Sequence, residues 1–375
     1  MSTYFDANAT TEVDGRVADI IQRYLITDYG NAGSRTHQMG LDAKQAVNRA
    51  REQVAAVTGD SSDTVYFTSG ATEANNLAIL GLRNRVLSEA QPHIITSTIE
   101  HKAVLEPIEQ LEKQGVEVTY LPVDDRGWPE PEQLAKSLRP DTVLVSTMHV
   151  NNETGIELPL GDYASVLEGH LAYWHVDAAQ GFGKTSGQLR NERIDLISYS
   201  GHKLFAPKGI GALVARRRGF TRPPLEPLMF GGGQERGLRP GTLPVALIAG
   251  FGLAAELAES EKEQRGKKCL ERRKEFLKAI SPLKPVFNGD QNRVLPHIVN
   301  VSFAGIDSEA AMIATKDLVS ISNGSACTSS SIEPSHVLIA MGLDEQRASE
   351  ALRVSWSHQT PPTDWTAFVE RLKRF

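Results

Sequence analysis

Short apolar runs with the composition of β-strands alternate with helical patterns over the first 215 residues of the chain. The predicted strands are residues 65–68, 93–97, 116–122, 142–149, 173–177, 196–200 and 211–215. Several of these runs end in Gly, Ser or Asp, and a helical pattern such as residues 74–82 follows. This alternation predicts an α/β domain with a mostly parallel central sheet, in which ligands bind at the carboxyl ends of the strands.

The hydrophobic pattern changes near residue 246. Residues 246–280 predict one long helix, and its charged run 259–274 is expected to be a solvated connector. Beyond it, residues 298–303 and 318–322 predict strands, and residues 363–374 predict a closing helix. We therefore predict an N-terminal segment (1–15) that packs with a small domain, a large domain (16–255) and a small C-terminal α/β domain (256–375).

Composition and charge exclude several classes of protein. A chain of 375 residues with 40% hydrophobic and 23% charged residues can bury a large core and is not disordered. The net charge of −6 argues against direct binding to nucleic acid or to an anionic membrane. No apolar run approaches the ~20 residues of a membrane span, and the first residues lack the pattern of a secretory signal. We expect a cytoplasmic protein.

The chain has two cysteines, which are too few for a zinc or iron–sulfur site of their own, and no metal site is expected. Cys327 lies at the centre of a Gly/Ser-rich run, residues 321–331. A structural cysteine would lie in an apolar strand or helix, so Cys327 is predicted to be a reactive thiol. Cys269 lies in a charged helical run and is expected to have no catalytic role.

A candidate phosphate site follows the first of the predicted sheet strands. Residues 67–73 read Phe-Thr-Ser-Gly-Ala-Thr-Glu and pass from a strand through a Ser-Gly turn into a helix. Backbone N–H groups at the helix N-terminus, with the hydroxyl of Thr72, suit a phosphate. Ordinary capping by Ser69 is an equally good interpretation. The motif is not a Walker A loop, because no Gly-Lys-Ser/Thr follows at the right spacing.

Two other strand ends carry candidate chemistry. Asp177 ends the run 173–177; it either faces a protonated ligand nitrogen or forms a capping box with Gln180. Lys203 follows the run 196–200, where it would lie at the ligand-binding edge of the sheet. A phosphate cradle, a carboxylate and a lysine in this order are what pyridoxal 5′-phosphate requires.

These motifs resemble the NifS/IscS-type cysteine desulfurases of the class-V aminotransferase family, which are fold-type-I pyridoxal-phosphate enzymes. The resemblance runs from residues 4–11 to residues 352–355, and its most specific segments are 68–73, 100–104, 148–155, 200–203 and 324–327. It implies a homodimer that converts L-cysteine to L-alanine. The sulfur would pass to Cys327 as a persulfide and then to an acceptor protein.

The resemblance also implies roles for individual residues. Lys203 would bind the cofactor as a Schiff base and move the substrate α-proton, while Asp177 would pair with the pyridine nitrogen. His101 would stack on the ring and Gln180 would contact its hydroxyl. The implied phosphate ligands are Ala71, Thr72, Ser200 and His202, with Thr242 from the other subunit; Thr242 could instead cap a helix beginning near residue 243. Asn152 and Arg353 would bind the substrate carboxylate, which a planar guanidinium matches well.

Two departures from the family pattern affect these expectations. The turn at residues 30–37 has Ala32 where the family usually has Pro, which leaves the roles of Asn31 and His37 open. The sequence stops at residue 375 without the tail by which IscS-like enzymes engage their scaffold, which favours sulfur supply for DNA phosphorothioation over iron–sulfur supply. Two other classes stay open: an aminotransferase or lyase with a silent Cys327, and an inactive scaffold without cofactor.

Overall fold

The computed structural model describes residues 2–323 and 334–375. The strands in these residues are β1 (Thr3–Tyr4), β2 (Val65–Thr68), β3 (His93–Ser97), β4 (Glu117–Leu121), β5 (Thr142–Met148), β6 (Tyr173–Asp177), β7 (Leu196–Ser200), β8 (Gly211–Ala215), β9 (Val286–Phe287), β10 (Ile298–Ser302), β11 (Val319–Ser320) and β12 (Ala351–Ser355). The helices are α1 (Gly15–Ile26), α2 (Gln38–Thr58), α3 (Ala71–Leu80), α4 (Arg83–Leu87), α5 (Lys102–Glu112), α6 (Pro131–Ser137), α7 (Leu160–Val166), α8 (Val245–Ser260), α9 (Lys262–Ile280), α10 (Ser308–Thr315), α11 (His336–Ala340), α12 (Glu345–Ser349) and α13 (Thr366–Leu372). The seven strands expected in the first 215 residues are therefore confirmed.

The central sheet has the strand order β2-β8-β7-β6-β5-β3-β4. Strands β4, β3, β5, β6 and β7 pair in parallel, and β8 runs antiparallel to both β2 and β7. Adjacent residues of one strand, such as Ile94 and Ile95, belong to two different hydrophobic clusters. Because side chains alternate between the faces of a strand, the sheet is covered on both faces. The predicted α/β class with a mostly parallel sheet is confirmed.

Helices α2 and α8 build part of the core on one face. In α2, Ala43, Val47, Ala50 and Val54 recur every three or four residues and are buried. A Cβ atom at Gly252 of α8 would lie 2.6 Å from Cβ of Ala50. The two helices can therefore approach this closely only because position 252 carries no side chain.

The expectation of one helix over residues 246–280 is wrong. Helix α8 ends at Ser260 and α9 begins at Lys262, because Glu261 takes the non-helical angles φ −105° and ψ 7°. The Glu261 carboxylate binds Arg16 of α1 at 2.6 Å and Arg265 at 2.9 Å. These ion pairs fix the side chain at the break. The expectation of a solvated connector is also incomplete, since one side of α9 is buried.

A second, smaller group of strands lies after α9. Strand β10 pairs antiparallel with β12 and β9, and β1 pairs in parallel with β11. Phe5, which follows β1, packs on Trp365 with ring centroids 4.5 Å apart. Residues 298–303 are confirmed as a strand to within one residue, whereas only β11 forms within 318–322, and β12 was not predicted. The division into domains at residues 15 and 255 stays a prediction.

Every helix in residues 2–323 and 334–375 is too short or too polar to cross a membrane.

Candidate active site

The carboxyl ends of β5, β6 and β7 open onto a cavity of about 540 Å³. The predicted site residues that line it are Ala71, Thr72, His101, Asn152, Asp177, Gln180, Ser200, His202, Lys203 and Arg353. They come from both the central sheet and the smaller sheet, so the fold brings distant motifs together. The roles of these residues stay predictions.

The N-terminus of α3 forms one end of this cavity. Gly70 precedes the helix with φ 153°, a conformation that L residues rarely adopt, and it provides no side-chain cap. The interpretation of Ser69 as the cap is therefore wrong; its N–H instead donates to Glu73 Oε2 at 2.6 Å. The first N–H groups of a helix have no partner within it. Ala71 and Thr72, at this end, can therefore offer donors to an anion.

Asp177 lies at the end of β6 and is buried. Its Oδ2 accepts a hydrogen bond from Nδ2 of Asn75 at 2.7 Å, and its Oδ1 accepts one from the N–H of Ala179 at 2.9 Å. The capping-box interpretation is wrong, because no regular helix follows Asp177 and Gln180 Nε2 donates to the carbonyl of Asn8 at 3.0 Å. A carboxylate fixed by two donors suits a protonated ring nitrogen.

A neutral histidine lies two residues before Asp177 on the same strand. The ring nitrogens of His175 lie 2.8 Å from Ser146 Oγ and 2.9 Å from Ser198 Oγ. Burial lowers the pKa of His175 to about 4, although the charge of Asp177 acts in the opposite direction. At neutral pH the imidazole therefore carries no charge that would compete with a ligand for this carboxylate.

Lys203 follows β7, and the N-terminal segment holds its side chain. Lys203 Nζ donates to the carbonyl of Asn8 and, at 2.8 Å, to that of Ala9. Thr11 Oγ1 donates to the carbonyl of His202 at 3.1 Å and fixes the turn. Burial lowers the pKa of His202 to about 4, and the charge of Lys203 acts in the same direction. His202 is therefore a neutral imidazole at neutral pH.

His101 lies at the start of α5, where its Nδ1 accepts from the N–H of Ala103 at 3.0 Å. The preceding Glu100 is fully buried, and its Oε1 accepts from Ser97 Oγ at 2.6 Å and from the N–H of Met148 at 2.9 Å. Burial raises the pKa of Glu100 to about 8, although both hydrogen bonds lower it. At neutral pH Glu100 is therefore mostly protonated and adds little negative charge to the site.

Arg353 on β12 is the cationic side chain best placed for a carboxylate. Its Nη2 pairs with Oδ1 of Asp6 at 2.7 Å, and its Nη1 donates to the carbonyl of Asn152 at 3.1 Å. The side chain is 3% exposed. A guanidinium has five N–H donors, and these contacts use two of them. No described residue accepts a hydrogen bond from the other three, so they remain for an anion that enters the cavity.

Thr242 does not line the cavity of its own chain. It is exposed, and α8 begins at Val245 with Pro244 as its N-cap, so the interpretation of Thr242 as a helix cap is wrong. Nearby, Arg239 pairs with Glu73 of α3 at 2.8 Å. The loop is thus tied to the candidate phosphate end, while Thr242 itself faces solvent.

Four further residues singled out in the sequence do not line this cavity or lie outside the described residues. Asn31 accepts from a backbone N–H within its turn at 2.8 Å, and His37 caps α2, so both have local structural roles. Cys269 on α9 is buried, and burial raises the pKa of its thiol to about 11. Cys327 lies outside the described residues. In the described part of the chain, no group of His, Cys, Asp and Glu could hold a metal ion.

Several residues that shape the site were not found from the sequence. Asn75 orients Asp177, Asp6 holds Arg353, and the carbonyls of Asn8 and Ala9 hold Lys203. Asp6 and Asn8 lie in the segment 4–11, where the family resemblance begins. That resemblance was the one signal by which these two residues could have been found. Asn75 lies only two residues beyond the segment 68–73, and its spacing on α3 gave no reason to single it out.

The arrangement fits pyridoxal 5′-phosphate. A helix N-terminus suits its phosphate, Asp177 its ring nitrogen, and the amine of Lys203 its aldehyde. Three buried polar atoms on the lining residues, Asn8 Oδ1, Asn75 Oδ1 and Arg353 Nε, have no hydrogen-bond partner among the described residues. Such atoms are rare in folded proteins unless a ligand or water completes them.

Comparison with known proteins gives a consistent result. The family model "Aminotransferase class-V" matches residues 3–367. A cysteine desulfurase from Homo sapiens is 44% identical over 98% of this chain and 80% of its own length. The cysteine desulfurase IscS from Vibrio cholerae is 43% identical over 99% of this chain and 91% of its own. The crystal structure of DndA from Streptomyces lividans superposes with a TM-score of 0.83 and is 50% identical, covering 95% of this chain and 99% of that one.

Proposed function

Since this chain belongs to the class-V aminotransferase family and is a pyridoxal 5′-phosphate-dependent cysteine desulfurase, we propose that Lys203 binds its cofactor and Cys327 receives the sulfur. The observation that carries the proposal is the single cavity shared by Lys203, Asp177 and Arg353. The bound cofactor would draw electrons from the α-carbon of L-cysteine and so weaken its C–S bond.

The side chains around the cavity divide the work. Arg353 and Asn152 bind the substrate α-carboxylate and orient the α-carbon toward Lys203. The Nζ of Lys203, once free of the cofactor, takes the proton from that carbon and returns it during turnover. Asp177 keeps a proton on the ring nitrogen, a role for which Asn75 and the N–H of Ala179 hold it in place.

The thiolate of Cys327 then attacks the sulfur of the bound cysteine. An S–S bond forms and the C–S bond breaks; its electron pair stays with the carbon, which is protonated and leaves as alanine. Cys327 is left as a persulfide. Cys269 is unsuited to this step because it is buried and its pKa is raised to about 11, so little thiolate forms at neutral pH.

We propose that the sulfur goes to a partner protein that serves DNA phosphorothioation. The 50% identity to DndA, against 43% to IscS, supports this destination. The net charge of −6 also fits delivery to a protein, because direct binding to DNA would call for a basic surface. Supply for iron–sulfur clusters is the second candidate, which the IscS similarity favours.

Deletion of the gene in its host separates the two destinations. The digested DNA is examined by mass spectrometry for phosphorothioate dinucleotides, and the activity of iron–sulfur enzymes is measured in the same cells. Loss of the DNA modification, restored by the wild-type gene and not by Cys327→Ser, supports the first destination. Intact modification with failing iron–sulfur enzymes would reject it in favour of the second.

We further propose that two copies of the chain share their active sites, with Thr242 reaching the cofactor phosphate of the other subunit. Thr242 is exposed and does not line the cavity of its own chain. Both properties are expected of a residue that contacts the active site of a partner subunit. Phe230, on the same loop, is 90% exposed, and the neighbouring Met229 is 47% exposed. Large apolar side chains at such exposure support a contact with a second copy.

A further inference from the structure

A second, smaller cavity of about 70 Å³ lies beside the active site, and Lys184 lines it. Lys184 is partly buried, four residues after Gln180. Its Nζ lies 3.4 Å from Gln180 Oε1 and 3.4 Å from His297 Nε2. Both contacts are neutral acceptors, and the described residues that line this cavity include no carboxylate. A lysine in such a place lacks the anion that normally accompanies a buried cation.

The titratable groups around Lys184 come from several elements and are neutral or cationic. They are Lys203 and His202 after β7, His297 before β10, Lys262, Arg265 and Cys269 on α9, and His358 after β12. Burial, and then the charge of Lys203, lower the pKa of Lys184 to about 7. Burial likewise keeps the pKa of His297 well below its usual value, so its ring is neutral.

A chain of hydrogen bonds connects Lys184 with Lys203. Lys184 Nζ donates to Gln180 Oε1, and Gln180 Nε2 donates to the carbonyl of Asn8 at 3.0 Å. The same carbonyl accepts from Lys203 Nζ. Two amines that compete for protons are therefore joined through one amide side chain and one backbone carbonyl.

The amide of Gln180 can take only one of its two orientations in this chain. With Oε1 toward Lys184, each donor meets an acceptor. With the amide reversed, its NH₂ group would face the ammonium group, donor against donor, and its oxygen would face the Asn8 carbonyl. Protonated Lys184 and the Asn8 carbonyl therefore together keep the Gln180 NH₂ group on the side of the active-site cavity, which Gln180 also lines.

We propose that Lys184 is a positioning residue of the cofactor site. Its side chain fixes the amide of Gln180 and, when protonated, lowers the proton affinity of the nitrogen that joins Lys203 to the cofactor. A nearby positive charge disfavours a second one. This keeps more of that nitrogen unprotonated near neutral pH. The proposal rests on the assignment of Lys203 as the cofactor-binding residue.

The test is a pH titration of the visible absorbance of the purified holoenzyme, which reports the pKa of the Lys203–cofactor nitrogen. Lys184→Met removes the charge, and we expect this pKa to rise by roughly one unit. Lys184→Arg keeps a positive charge, and the pKa should not rise. Lys262→Met is the matched control, since Lys262 lines the same small cavity without a hydrogen bond to Gln180 among the described residues; it should leave the pKa unchanged.

A Lys184→Met holoenzyme with full cofactor content and an unchanged pKa would overturn the proposal. If that variant does not retain cofactor, Lys184→Gln, which keeps a donor for Gln180 without the charge, is titrated instead and should show the same rise. Failure of both neutral variants to retain cofactor, with Lys184→Arg fully loaded, would also overturn it, because Lys184 would then serve cofactor binding alone. Borohydride reduction and peptide mapping of the wild type test Lys203 separately, so the two failures are distinguishable.

Discussion

The substitution Arg353→Lys should weaken the binding of L-cysteine while leaving the chemical step nearly intact. Arg353 is 3% exposed and is held by Asp6 at 2.7 Å and by the carbonyl of Asn152 at 3.1 Å. Its remaining N–H donors form a planar fork that a carboxylate can meet with both oxygens. Lysine keeps the positive charge but offers a single point of contact.

The expected magnitude follows from the hydrogen bonds that are lost. A hydrogen bond to a charged group contributes about 1.5–3 kcal/mol, and each 1.4 kcal/mol is about a tenfold change in affinity. Loss of one such bond to the substrate should raise KM for L-cysteine about 10- to 100-fold. Because the carboxylate is bound alike before and during the reaction, kcat should change little. The retained charge still neutralises Asp6, so the fold should lose only about 1 kcal/mol of stability.

Alanine production at increasing L-cysteine concentration measures both constants. Arg347→Lys is a matched control, because Arg347 binds Asn288 at 2.8 Å away from the cavity, and its KM should equal that of the wild type. A KM for Arg353→Lys within about threefold of the wild type, in a folded holoenzyme, would refute the role of Arg353. A fall in kcat with constant KM would also contradict a role in substrate binding alone, since it would place Arg353 in the chemical step.

Three other predictions concern the cofactor lysine, the second subunit and a buried ion pair. Borohydride reduction should attach the cofactor to Lys203 alone, and Lys203→Ala should abolish turnover; a label on another lysine would reject the assignment. Mixing Lys203→Ala with Thr242→Val subunits under exchange should restore activity, provided Thr242→Val alone is impaired; no recovery in confirmed mixed dimers would reject the shared site. Glu235→Ala should lower the free energy of unfolding, measured by denaturant titration, by about 3–5 kcal/mol, because Arg51, which Glu235 binds at 2.6 Å, would stay buried without its counter-charge. Glu263 is exposed, and Glu263→Ala should change this free energy by less than about 0.5 kcal/mol. An equal effect of the two substitutions would contradict this prediction.

The central sheet could be predicted because its signal is local. Strands such as β5 and β7 are buried along their whole length, and so appear as short runs of apolar, aromatic and small hydroxyl residues without a charged residue. The position of the candidate site residues at their ends could be predicted for the same reason, since parallel strands bring their carboxyl ends to one edge. Asp177 and Lys203 were found in this way.

The features that escaped prediction depend on partners far away in the sequence. The break at Glu261 lies between two segments that each have a helical pattern, and its side chain is held by Arg16 of α1. The N-terminal segment is predicted to pack with the small domain, and its sequence does not show that its carbonyls at Asn8 and Ala9 hold Lys203. Lys184 looks like an ordinary surface lysine until the fold places it against Gln180. No local pattern reports such contacts.

Sulfur transfer to Cys327 is tested most directly when the sulfur of the substrate is followed. The holoenzyme is incubated with L-cysteine labelled at sulfur, digested without reductant, and the cysteine peptides are analysed by mass spectrometry. The chain offers two cysteines, so Cys269 is an internal control. We predict one additional labelled sulfur atom on the Cys327 peptide, none on the Cys269 peptide, and one alanine for each sulfur transferred. Label on Cys269, or alanine formation at the normal rate by Cys327→Ser, would contradict the proposed mechanism.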